Sequence, residues 1–143
     1  MSNNHVLHAA TATLNDEAFL TQFENLTLDP IHFNHVGHLR IAWLYLNRHD
    51  VDTAVQLLCS GIQTYAESLG ATTKFHLTIT DALVRIMAQR MDGMREKRWK
   101  LFLDENRDLA EDALSVLYQY FSKDVLFSEA ARISLVQPDI RPL

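Results

Sequence analysis

The sequence is short of the residues that break chains. Its 143 residues include only four glycines and three prolines. That scarcity leaves few sites for tight turns and argues for long helices over a turn-rich β fold. Cysteine occurs once, at Cys59, so no disulfide can close within the chain and a reducing, cytoplasmic setting is expected. Cys59 also lies inside an apolar helical pattern, where a thiol reads as a small core hydrophobe. No apolar run approaches the ~18 residues of a membrane span, and no membrane partner is expected. The opening stretch, MSNNHVLHAATATL, has neither the basic start nor the apolar run of a secretion leader. Positive charge is also scarce: 13 Lys and Arg stand against 18 Asp and Glu, a net charge of −5. Nucleic acid is therefore not an expected partner, because phosphate binding needs a surplus of Lys and Arg on one face. The densest basic run, Arg95-Glu96-Lys97-Arg98-Trp99-Lys100, is short and mixed in sign and reads as a solvated helix face.

What is present is a globular composition, 48% apolar and 22% charged, in a length that suits one domain. Residues 1–13 are polar and aperiodic and read as a flexible N-terminal arm; residues 14–143 read as a single helical domain. A helix is expected from Asn15 to Leu26, then a loop containing Pro30. Asn34 caps a second helix running to about Asn47, with Phe33 placed to fold onto His38 as a hydrophobic staple. Asp50 or Asp52 starts a third helix that Gly70 stops. A fourth runs from near Phe75 to about Met91, where Asp92-Gly93 breaks it. Two further helical patterns follow, carried by Trp99, Phe102 and Leu103 and then by Leu109, Ala113, Val116, Leu117 and Tyr120. Ser128 caps a last short helix, and the tail QPDIRPL reads as extended. The expectation is an all-α, single-domain bundle of five to six helices, with a homo-oligomer compatible with it.

Histidine is the residue worth following, because three of the seven fall within Ile31–Arg40, IHFNHVGHLR. At roughly 100° per residue, His35 and His38 share the apolar face of the second helix with Leu39, Ala42 and Leu46, while Arg40 points away. In the fourth helix His76 shares a face with Ile79, Leu83 and Met87, while Asp81 and Arg85 take the far side. Short links make successive helices antiparallel, so the second and fourth helices start at the same end of the bundle. His35, His38 and His76 are thereby expected to cluster there, facing inward.

Three readings of that cluster follow. Three imidazoles around a divalent metal, zinc or iron, would leave an open position for a Lewis acid or an activated water. Without metal, the same helix starts suit an anion, with Arg40, Lys74, Thr78 and Thr80 as substrate-binding groups and one histidine transferring a proton. On the third reading the histidines are structural, in a non-catalytic binding or interaction protein. His32 and His49 in loops, and His5 and His8 in the arm, read as solvated. Met87, Met91 and Met94 read as packing, and Trp43 and Trp99 as core aromatics.

The blocks FNHVGHLRIAWLYL, KFHLTITDALV, YFSKDVLFSEAAR and QPDIRPL carry a resemblance. Over residues 33–143 the chain resembles a group of small bacterial all-helical proteins without a settled activity. Their pattern is F-x-H-x-x-H-x-R-x-A-W, then K-[YF]-H-x-T-x-T, then a closing P-D-[LI]-x-P-L. The matching positions are His35, His38, Arg40, Lys74, His76, Thr78 and Thr80. Where that pattern carries an acidic residue after the second-block histidine, this chain has Leu77. The resemblance also implies a role for the tail, where Asp139 and Arg141 would pack over the end of the bundle, closing a pocket or covering the core. The expected function is thus a small cytoplasmic enzyme acting on a polar or anionic small molecule through a histidine-lined pocket.

Overall fold

The computed structural model describes residues 14–71 and 75–143. The expected arm, with His5 and His8, and the expected substrate-binding Lys74 lie outside the described residues. Four helices of at least nine residues form first: α1 (Asp16–Glu24), α2 (His35–Leu46), α3 (Val51–Ser68) and α4 (Leu77–Asp92). A 3-10 turn, Pro30–His32, stands between α1 and α2.

Their ends are written locally. Asn15, Asn34 and Asp50 each accept an N–H of the first turn through the side chain, at Ala18, Gly37 and Thr53, which satisfies donors a helix start leaves unpaired. Gly70 ends α3 in the left-handed region, with φ 74°, while Gly70 and Ala71 donate back to Glu67 and Ala66. Leu26 ends α1 by the same device at φ 63°, donating to Phe23 as Thr27 donates to Gln22.

The order of contacts fixes the directions. Phe33, just before α2, packs edge-on against Tyr65 near the end of α3, with ring centroids 4.4 Å apart. Helices α2 and α3 are therefore antiparallel. Arg85 in α4 reaches back to Asp52 in the first turn of α3, so α3 and α4 are antiparallel too. The starts of α2 and α4 both lie toward the end of α3, as loop length implied.

The C-terminal third departs from the expectation of two helical patterns and a final short helix. It divides into α5 (Trp99–Glu105), α6 (Arg107–Glu111), α7 (Ala113–Leu117), α8 (Lys123–Leu126) and α9 (Glu129–Ile133). None exceeds seven residues, too short to be stable alone, so packing holds them. Phe102, Leu109, Leu117, Phe121 and Leu126 are buried in the same core as Phe19, Phe23, Tyr65, Ile86 and Met87. Trp43 is buried against Trp99 and Phe102, and Cys59 is partly buried in the core. The fold is an all-α bundle without a strand among the described residues. No helix among them is long and apolar enough to cross a membrane.

Candidate functional site

The three histidines expected to form a pocket are each used by the fold. His76 is not in the first turn of α4 but caps it. Its Nδ1 accepts the Ile79 N–H at 3.1 Å, and its Nε2 donates to the Leu126 carbonyl at 2.7 Å. Both ring nitrogens are engaged, one as acceptor and one as donor, which defines a neutral imidazole protonated on Nε2.

His35 is exposed rather than inward. It occupies the first helical position, at the rim of the core, and its Nε2 donates to the Leu109 carbonyl of α6 at 2.7 Å. His38 alone turns inward. Its ring sits 4.4 Å from that of Phe33, as the staple requires, and its buried Nε2 has no hydrogen-bond partner. Burial, with a smaller contribution from neighbouring His35, lowers its pKa from 6.5 to about 4.

Among the described residues, no three His, Cys, Asp or Glu side chains are placed to hold one metal ion. The ring nitrogens of His76, and Nε2 of His35, are committed to backbone groups. The residues present therefore do not fit the expected three-imidazole site for zinc or iron. The hydroxyls expected to bind substrate are committed as well. Thr80 donates to the His76 carbonyl within its own helix. Buried Thr78 donates to the Ser134 carbonyl and accepts the Val136 N–H.

The histidine that does line a pocket is His32, which sequence reasoning had left in solvent. It is 7% exposed, packs edge-on against Phe19, and its buried Nδ1 has no partner. The reason is Gly37. A Cβ there would stand 1.9 Å from the His32 carbonyl oxygen, so a glycine at this position of α2 lets the 3-10 turn lie against the helix. Beside His32 is a cavity of about 350 Å³, walled by Phe19, Asn34, Val36, Gly37, Arg40, Trp99, Lys100 and Leu103. Burial lowers the His32 pKa; Asp29 opposes this and Arg40 adds to it.

Arg40 does not point into solvent either. Helix α1 covers that side of α2, leaving the Arg40 side chain 13% exposed. Its guanidinium lies 4.4 Å over the Phe19 ring, with Nε and one terminal nitrogen turned to Asp16 and to the Leu14 carbonyl. The other terminal nitrogen makes no hydrogen bond to the described residues. Two cations, Arg40 and Lys100, line this cavity; the carboxylates they pair with, Asp16 at 2.8 Å and Asp104 at 3.9 Å, stand outside its wall. The basic run Arg95–Arg98, expected on a helix face, is an exposed loop leading into Trp99.

A second cavity lies on the other side of α4. Thr78, Asp81 and Arg85 form a polar stripe at helical spacing, and the C-terminal segment 134–143 crosses it. Asp81, expected on the far side of α4 from His76, is consequently 7% exposed. Between stripe and segment is a space of about 550 Å³. Asp139 and Arg141 line it, so the tail closes a cavity, though not one shared with His35 and His38.

In comparison with known proteins, no family model, curated protein or solved structure gives a significant match to the chain.

Proposed function

We propose that the protein binds a small organic anion in the cavity beside His32, and that His32 exchanges a proton with the bound molecule. The observation that carries this reading is a nearly buried imidazole without a protein partner for Nδ1, set in a wall whose charged groups are all cations. An unpaired buried polar atom costs about 1–3 kcal/mol, a cost that proteins retain at functional positions more readily than in ordinary packing. With its pKa lowered, His32 is neutral at pH 7 and can accept a proton. Arg40 and Lys100 anchor the negative charge, while the partly buried Trp99 provides apolar surface for the body of the ligand.

This retains a histidine-lined pocket and an anionic small molecule from the sequence reading, transfers the chemistry to His32, and leaves metal out of it. A purely structural role for His35, His38 and His76 fits the same picture, because the bonds of His35 and His76 to backbone groups and the packing of His38 on Phe33 hold the helices that form the cavity.

The test is titration with benzoate and with inorganic phosphate while the His32 ring signals are followed by NMR. Saturable movement of those signals, weakened about tenfold or more in Lys100→Glu and Arg40→Gln, is expected. Signals unmoved by either anion, or equal binding by His32→Asn, would overturn the reading.

A further inference from the structure

The segment 134–143 is tied down at both ends and bridges a gap between them. At one end Thr78 holds it through the Ser134 carbonyl and the Val136 N–H, at 2.8 and 3.2 Å. At the other, the Ile140 N–H donates to the Tyr120 carbonyl, and Asp139 accepts the Ser122 N–H. Beneath lies the space of about 550 Å³, a size typical of small-molecule sites.

The charges around it are unevenly satisfied. Among the described residues Asp81 accepts only the Arg85 Nε–H, shared between its two oxygens at 3.0 and 3.1 Å. That guanidinium also serves Asp52, through a terminal nitrogen at 3.0 Å. One cation therefore answers two carboxylates. Arg141 is turned elsewhere, to Gln119 and to the face of Tyr120. Asp139 accepts the Ser122 backbone N–H through one carboxylate oxygen. A carboxylate offers about four acceptor sites, so Asp81 and Asp139 keep unused capacity while both guanidiniums in the wall are occupied. Leu135, Val136 and Ile140 of the strap supply apolar surface.

We propose that this strapped cavity is a second ligand site, specific for a small organic cation: an amine whose ammonium pairs with Asp81 and whose apolar body lies against the apolar side chains of the strap. Its charge preference is opposite to that of the cavity beside His32, and the two sites stand or fall separately. Asp81 is the anchor, because it is nearly buried and an ammonium paired there is shielded from water and salt. Asp139, on the exposed strap, contributes less.

The test is calorimetric titration of the whole chain with hexylammonium, hexanoate and hexanol, three probes of like shape and different charge. Saturable millimolar binding of hexylammonium is expected, with hexanoate and hexanol at least about tenfold weaker, since a charged hydrogen bond is lost. Asp81→Asn should remove the preference for the ammonium. Asp139→Asn should weaken hexylammonium while leaving the melting curve unchanged, and it serves as the decisive variant if Asp81→Asn does not fold. Failure of hexylammonium to bind, equal binding of the three probes, or a preference that survives in a folded Asp81→Asn (or, where that variant is unfolded, an affinity for hexylammonium that is unchanged in Asp139→Asn) would overturn the proposal.

Discussion

Protonation of His38 is expected to destabilise the fold, and the size of the effect follows from where the ring lies. In the unfolded chain the imidazole titrates near 6.5. In the folded protein burial, helped by His35, lowers that to about 4. Between these values the unfolded chain binds a proton that the folded chain refuses. Stability is therefore complete above pH 6.5, falls as the pH drops, and has lost the whole contribution below pH 4. At about 1.4 kcal/mol per pH unit, the loss is about 3 kcal/mol, roughly 10 °C in melting temperature for a domain of this size.

The measurement is urea unfolding from pH 7.5 to 4 for the wild type and for His38→Phe, which keeps a flat ring against Phe33 but cannot titrate. Other groups also move in this range. Burial lowers the His32 pKa and, against the pull of Arg85, raises that of Asp81. Both are present in the two proteins and cancel in the difference. The difference between the curves should open by about 3 kcal/mol toward acid, with the wild type losing more. Parallel curves would mean that His38 protonates freely in the folded state, and the reasoning from its buried, unpaired Nε2 would fail.

Two further substitutions probe how the histidines are placed. Gly37→Ala removes a helix-weakening glycine, yet its Cβ would meet the His32 carbonyl oxygen at 1.9 Å. We expect net destabilisation of about 1–3 kcal/mol in urea melts, together with a shift of the His32 ring signals. A variant as stable as the parent, as helix propensity alone would give, would refute the close approach. For His76, Ala should cost about 2–3 kcal/mol, combining a lost cap and a lost hydrogen bond. Asn should recover the cap at Ile79 but not the bond to Leu126, and so cost about half as much. Equal losses in the two variants would contradict the double role of the ring.

The long helices were legible because each carries its own punctuation. Asn34, Asp50, Gly70 and Gly93 stand at or next to the observed helix caps. Of the stripe Ile79, Leu83 and Met87, however, only Met87 is fully buried, and Ala82, Val84, Ile86 and Met91 carry the rest of the buried apolar surface of α4. The short helices were only partly legible. Four or five residues complete little more than one turn, so α8 shows no period to read, and the single pattern through Leu109, Ala113, Val116 and Leu117 does not show the break between α6 and α7. That gap hid more than element boundaries. Helical spacing places Asp81 and Arg85 on the far side of α4 from His76, yet segment 134–143 covers that side and turns the polar stripe into a cavity wall. A wheel drawn for one helix shows which face is apolar, but not whether a distant segment buries the other.

The histidines show the same limit from the opposite direction. Their position at helix starts was read as a sign of a pocket, since such ends present unpaired N–H groups that suit metals or anions. Helix ends also need partners from the protein itself, and imidazole can serve as donor and acceptor at once. His76 bonds α4 to the last carbonyl of α8, and His35 bonds α2 to a carbonyl of α6. Both receiving helices have five residues or fewer, and the last four carbonyls of any helix lack an internal partner. The two rings thus fasten segments that cannot persist alone onto the starts of the helices that can. Once those bonds are assigned, the histidines with a buried ring nitrogen left unpaired are His38 and His32. His38 packs edge-on against Phe33. His32 adjoins open space lined with positive charge, and it is there that a ligand would recover what the fold leaves unpaired.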